Sequence, residues 1–255
     1  MRPFYFFCFA LFASCAAAAQ DLHLQPVGTR VAKQFSLGPS IFYLPEGEWV
    51  LAARQAWTGS LQYMLEGPKF AGVLLFDVRG QQVARAIWVR TNIEPVPGTR
   101  GWVKEEDPCK ERTDLHLHRE LGENYLNQYC VQVNHRVPFL VERKDWTRDA
   151  AGWLADNKLA PPKVVVAVQF ARIDRAYNTQ LHYYFNPEAD GLAGSAATKW
   201  NASEWHRNRV GQDPARAAYV RALVKWAGDA AAPVYAGFTD AKLKAVFPQP
   251  PFPAK

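Results

Sequence analysis

Residues 72–90, GVLLFDVRGQQVARAIWVR, decide the fold. Two extended apolar runs, 72–78 and 82–90, flank Arg79-Gly80-Gln81, and together they read as a β-hairpin. In the second arm Val83, Ile87 and Val89 share one face, with Arg85 as the exception. Ala84, Ala86, Trp88 and Arg90 share the other.

Working outward, a second hairpin lies downstream. Residues 163–173 begin with a nearly continuous valine run, the mark of a central strand buried on both faces. Residues 180–186 pair back across a turn near 174–178, with Leu181, Tyr183 and Phe185 alternating with His182 and Tyr184. Each hairpin ends at an asparagine, Asn92 or Asn186, but no residue-level repeat links the two. Upstream, 31–37, 41–44 and 49–57 are further strands, with Pro45-Glu46-Gly47 as a turn and 21–30 as a loose lead-in. Pro95-Val96-Pro97-Gly98 breaks the pattern. Residues 99–128 are polar and irregular, with Lys104-Glu105-Glu106-Asp107-Pro108 as a charged turn. Residues 129–135 resume a strand with Val131 and Val133 inward.

Helices come later in the chain. Asp145 caps a helix over 146–157, whose Trp146, Ala150, Trp153 and Leu154 form one apolar face. Asn201 and Glu204 have capping-box spacing for a short helix carrying Trp205. Asp213-Pro214 opens a helix that Gly228 should stop, with Tyr219, Leu223 and Trp226 on its buried side. Residues 247–255, rich in proline, read as an extended tail. The expected class is α+β: antiparallel β-sheet, one helix packed on it, and a helical C-terminal segment. A division into a β-rich half, 20–100, and an α+β half, 101–255, is one way to organise the chain.

The first twenty residues, MRPFYFFCFALFASCAAAAQ, read as an address. Arg2 gives a positive start, an apolar run extends from Phe4 to Ala13, and Ala17-x-Ala19 before Gln20 fits a signal-peptidase site. The apolar run is about half of the ~20 residues that cross a bilayer. The expectation is a signal peptide at 1–19, a mature chain from Gln20 without a transmembrane helix, and residence in the periplasm or outside the cell. Phe12-Ala13-Ser14-Cys15 also resembles a bacterial lipoprotein box, in which Cys15 is lipidated and anchors the chain in the envelope. Leu11 stands one place too early for the usual box, so ordinary cleavage is the preferred reading.

The mature chain keeps 29 basic and 24 acidic residues, because only Arg2 leaves with the signal. The basic residues are scattered, and an exported protein rarely meets nucleic acid, so no nucleic-acid partner is expected. Cys109 and Cys130 are the cysteines left after cleavage. In an oxidising compartment they should pair, closing a loop of about 22 residues worth roughly 3 kcal/mol on chain-entropy arithmetic.

Motifs for chemistry are sparse. His116 and His118 are two apart, so in a strand they share a face, continued by Asp114 and Glu120. They are the best metal candidates in the chain, with His135 or His182 as the third ligand needed. Their alternation with Leu115 and Leu117 is equally that of a half-buried strand, which is the preferred reading; no metal or other cofactor is expected. Ser195 lies in a small-residue segment without the G-x-S-x-G elbow. The chain contains no H-E-x-x-H, P-loop or G-x-G-x-x-G fingerprint. Carboxylate pairs for glycoside cleavage need no motif and stay open. All nine tryptophans lie beyond residue 19, and tryptophans that stack on sugars are a feature of some exported proteins, but most here, such as Trp153 and Trp226, fall on expected core faces, which is the preferred reading.

Leu44-Pro-Glu-Gly-Glu-Trp49, Trp200-x4-Trp205 and Tyr219-Val-Arg-Ala-Leu-Val-Lys-Trp226 resemble segments of exported Gram-negative bacterial proteins of uncharacterised function. The resemblance implies periplasmic or envelope residence and carries over no catalytic residue. The function expected is therefore that of a non-catalytic envelope protein binding a protein, lipid or glycan partner. The alternative is a periplasmic hydrolase using carboxylate or histidine side chains. An aromatic-lined groove would favour the first, and two converging carboxylates, or a histidine pair with a third ligand, the second.

Overall fold

Gly80, at φ 61°, supplies the left-handed residue that lets Arg79 pair with Gln82 across a two-residue turn. The hairpin built on it anchors the computed structural model, which describes residues 20–59, 67–94, 108–122, 127–140, 146–174, 176–239 and 243–253. The signal segment with Cys15, the turn at 104–107 and the Asp145 cap lie outside these residues.

In chain order the elements are β1 (Arg30–Val31), β2 (Gln34–Leu37), β3 (Ser40–Tyr43), β4 (Trp49–Thr58), β5 (Lys69–Arg79), β6 (Gln82–Asn92) and β7 (Leu117–Glu120). There follow β8 (Gln128–Arg136), α1 (Trp146–Asp156), β9 (Val165–Ile173), β10 (Asn178–Phe185), α2 (Pro214–Thr239) and β11 (Lys244–Val246). Eight strands form one antiparallel sheet in the order β1-β4-β5-β6-β10-β9-β8-β7. A second sheet, β11-β3-β2, has β11 parallel to β3. The class is α+β.

The two hairpins meet through β6 and β10, and their terminal asparagines clamp the joint. Asn92 accepts from the Asn178 N–H at 2.8 Å and donates to the Ala176 carbonyl at 2.8 Å. At the other end Asn186 donates to the Val83 carbonyl at 2.8 Å. Between them the Thr91 and Thr179 hydroxyls are 2.8 Å apart.

Alternation gives the large sheet two buried faces. Leu75, Ile87, Val89, Val131, Val168 and Tyr183 pack under α2 and the small sheet. Leu74, Phe76, Ala86, Val165 and Tyr184 pack against Ala150 and Leu154 of α1. Val83 departs from the sequence reading, since it packs on the α1 side with Ala86. The cause is a bulge: Asp77 pairs with Arg85 but Val78 with Val83, so Ala84 is an extra residue that reverses the alternation.

Three other expectations need correction. The strand expected over 31–37 is split, because Lys33 at φ 65° turns the chain out of the large sheet, where β1 pairs with β4, into the small one, where β2 pairs with β3. The lead-in at 21–30 is fastened: Leu22 is fully buried, and the Ser36 N–H donates to the Gln20 carbonyl at 2.9 Å. The C-terminal helix does not stop at Gly228. Asp213 caps it as expected, accepting from Ala215 N at 2.8 Å and Arg216 N at 3.1 Å, but it continues through Pro233 to Thr239. Interior Gly and Pro cost about 4 kcal/mol together. Burial of Val234 and Phe238 returns roughly 1.5–3 kcal/mol each, and Ala227, Ala230 and Ala231 add to it. The tail beyond β11 is extended but docked, with Phe252 stacked on Tyr219 at 4.6 Å and the Trp226 indole N–H donating to the Gln249 carbonyl.

Cys109 and Cys130 form a disulfide, with Cα atoms 5.6 Å apart. Residues 108–110 thereby lie over the large sheet. Gln169 donates to the Pro108 carbonyl at 3.2 Å, and Gln132 to the Lys110 carbonyl at 3.1 Å.

Candidate functional site

On the α1 side of the large sheet, one row of side chains reads Asn134, Ala167, Tyr184 across β8, β9 and β10. The two outer residues of that row, Asn134 and Tyr184, line a cavity of about 560 Å³ at the end of the sheet where β8 finishes and α1 begins. Its size suits a small ligand of one or two rings.

Aromatic rings supply much of the lining. Phe139 and Tyr184 are buried and in contact, with centroids 4.8 Å apart. Trp146, in the first turn of α1, lies against Trp88 at 5.6 Å. Trp200 stands at the rim, 47% exposed, with its ring 5.2 Å from that of His206.

Polar groups converge on the same space. Arg136 and Asn134 come from the end of β8. Arg136 Nε and Asn134 Oδ1 are buried without a hydrogen-bond partner among the described residues. No described carboxylate forms an ion pair with Arg136. Arg112 also lines the cavity, but its guanidinium is occupied, with Nε and Nη2 each 3.1 Å from a different oxygen of Asp114. Asp114 is the single carboxylate among the described lining residues. Among the described lining residues, Arg136 is thus the cation without a paired carboxylate.

A histidine cluster fastens the rim. His135 Nε2 donates to the Trp200 carbonyl at 2.9 Å, and His116 interacts with the Trp205 backbone. The rings of His116 and His206 lie 5.9 and 5.6 Å from that of His135. Burial holds both His116 and His135 below the ordinary imidazole range, His116 down to about 4, with mutual repulsion adding at His116. Both are neutral at pH 7. Behind the floor, His182 is buried between Trp88, at 4.8 Å, and Tyr184, and neither ring nitrogen has a partner among the described residues. Desolvation, with Arg136 and Arg90 nearby, keeps it neutral.

The two histidines singled out in the sequence part company. β7 begins at Leu117, so the alternation that would align His116 with His118 starts after His116. His118 Nδ1 lies 3.2 Å from Gln132 Nε2, whereas His116 joins His135. Among the described residues no group of three His, Cys, Asp or Glu side chains is arranged to hold a metal ion. Ser195 is buried rather than in a loose segment, and its hydroxyl donates to Glu204 at 2.8 Å. The short helix expected to open at Asn201 is instead a single 3-10 turn, Trp200–Ala202, that contains Asn201, so Asn201 and Glu204 form no capping box. Trp205 instead fills the core from a turn, fully buried. Arg112, Asn134, Arg136, Tyr184 and Trp200 escaped the sequence reading as a site because they are far apart in the chain and match no motif.

No family model matches the chain, nor does any curated protein or solved structure. No helix among the described residues is long and apolar enough to cross a membrane.

Proposed function

We propose that this chain is a non-catalytic, exported protein of the bacterial envelope that seats a saccharide in the cavity between β8, β10 and α1. The observation that carries the reading is the lining: four aromatic side chains, Phe139, Trp146, Tyr184 and Trp200, around a buried Asn134 carbonyl oxygen that has no partner among the described residues. Aromatic faces accept the C–H faces of sugar rings, and an orphan acceptor is satisfied by a sugar hydroxyl. Two free carboxylates would instead favour hydrolysis, and the described lining carries Asp114 alone, engaged by Arg112. The export signal supports residence in the periplasm, the medium or, through Cys15, a lipid anchor.

The test is a titration of the purified mature chain with envelope oligosaccharides, followed by tryptophan fluorescence and by chromatography of the sugars. Saturable quenching with intact sugars, weakened at least about tenfold by Trp146→Ala or Trp200→Ala, is expected. Shortened sugars would establish the hydrolase alternative, and absence of any fluorescence change would remove the saccharide reading. Mass spectrometry of the native N-terminus should find Gln20, or a lipidated Cys15 for the anchored form.

A further inference from the structure

We infer that the ligand carries a carboxylate on its sugar ring, and that Arg136 is the residue that reads it. The inference rests on the saccharide reading above and goes beyond it to the class of sugar.

Charge balance is the first argument. Both Arg112 and Arg136 face the cavity, and Asp114 neutralises Arg112 in a two-pronged contact. Arg136 has no such partner among the described residues, and its Nε is buried without a hydrogen bond. An arginine held partly out of water in that state is a costly arrangement unless an anion completes it. Its planar fork suits a carboxylate, with two parallel N–H bonds to two oxygens.

The surroundings point the same way. α1 presents its first turn, Trp146 and Thr147, to the cavity, so the positive end of the helix faces the ligand. His182, close enough to feel Arg136, is neutral and adds no second cation. One positive side chain, one unpartnered amide oxygen from Asn134 and an aromatic enclosure match a molecule with one negative group, neighbouring hydroxyls and a ring. Uronic acids have this constitution. A neutral sugar would leave Arg136 unpaired, and a simple carboxylate would leave the aromatic walls empty.

The experiment uses the full mature chain and three probes: a glucuronate-containing disaccharide, its methyl ester, and cyclohexanecarboxylate. The ester keeps every atom of the sugar ring but removes the charge. The acid should bind at least about tenfold more tightly than the ester, as for loss of one charge-assisted hydrogen-bond pair. Arg136→Gln should reduce that difference to less than about twofold, and a urea melt matching wild type shows that the variant is folded. Raising the salt to 0.5 M, roughly, should weaken the acid and spare the ester. Equal binding of acid and ester overturns the inference and leaves the saccharide reading standing. Equal binding of the disaccharide and cyclohexanecarboxylate overturns the sugar part of it, and no binding of any probe overturns both.

Discussion

Acid should destabilise this protein through His116, and by an amount that can be worked out. The imidazole is half-buried just ahead of β7, and desolvation, with His135 adding to it, outweighs a hydrogen bond to the Trp205 backbone and holds its pKa down from 6.5 to about 4. Between those values the unfolded chain takes up a proton that the folded chain refuses. The stabilisation is therefore complete above pH 6.5 and is lost as the pH falls through that window toward 4. At 1.36 kcal/mol per unit the loss is about 3 kcal/mol. With a urea m-value near 2–3 kcal/mol/M, the unfolding midpoint should drop by about 1 M between pH 7.5 and pH 4.2 from this group alone. Burial lowers His135 as well, so the full decline is larger. Tryptophan fluorescence would follow the transition with the disulfide kept oxidised. His116→Gln should be less stable than wild type at pH 7.5 but lose about 1 M less midpoint on acidification. Parallel decline of the two proteins would refute the reasoning, because it would mean that His116 gains its proton as readily folded as unfolded.

Two further expectations concern the frame. Leu223 is fully buried between α2 and the sheet, so Leu223→Ala should cost about 2–5 kcal/mol in a thermal or urea melt; an unchanged transition would mean that α2 does not dock there. Asn92→Ala leaves the Asn178 N–H and the Ala176 carbonyl without their partner at the β6–β10 joint, at a cost of roughly 1–3 kcal/mol; a neutral result would show that the clamp is dispensable.

The frame was legible where one period governs a whole element. Alternation in 72–90 and the valine run near 165 both specify strands, and the 3.6-residue spacing of Trp146, Ala150, Trp153 and Leu154 specifies α1. What escaped was set by tertiary contact. A bulge at Ala84 moves Val83 to the other face, although nothing in the residues around it marks an extra position. Strand β11 is three residues long and exists because Leu243 and Ala245 are buried against α2 and β3. Gly228 and Pro233 are ordinary stop signals, and they fail because the surface beneath them is apolar.

The site was hidden for a different reason. Its residues are drawn from five separate places, and each one, taken alone, has a bland explanation: a strand-end arginine, a strand asparagine, a rim tryptophan. One signal was present in the sequence. Strands β8, β9 and β10 carry Gln132, Asn134, Gln169, Gln180 and His182 at positions that alternation places on a buried face. Buried polar residues need partners. Gln169 and Gln132 find theirs in the backbone beside the disulfide, where they hold residues 108–110. Asn134, one alternate position further along β8, faces the cavity instead, and its oxygen has no described partner. The polar stripe is therefore structural at the disulfide end and unsatisfied at the α1 end. The unsatisfied end is also where Arg136 projects, and a ligand placed there would complete both groups at once.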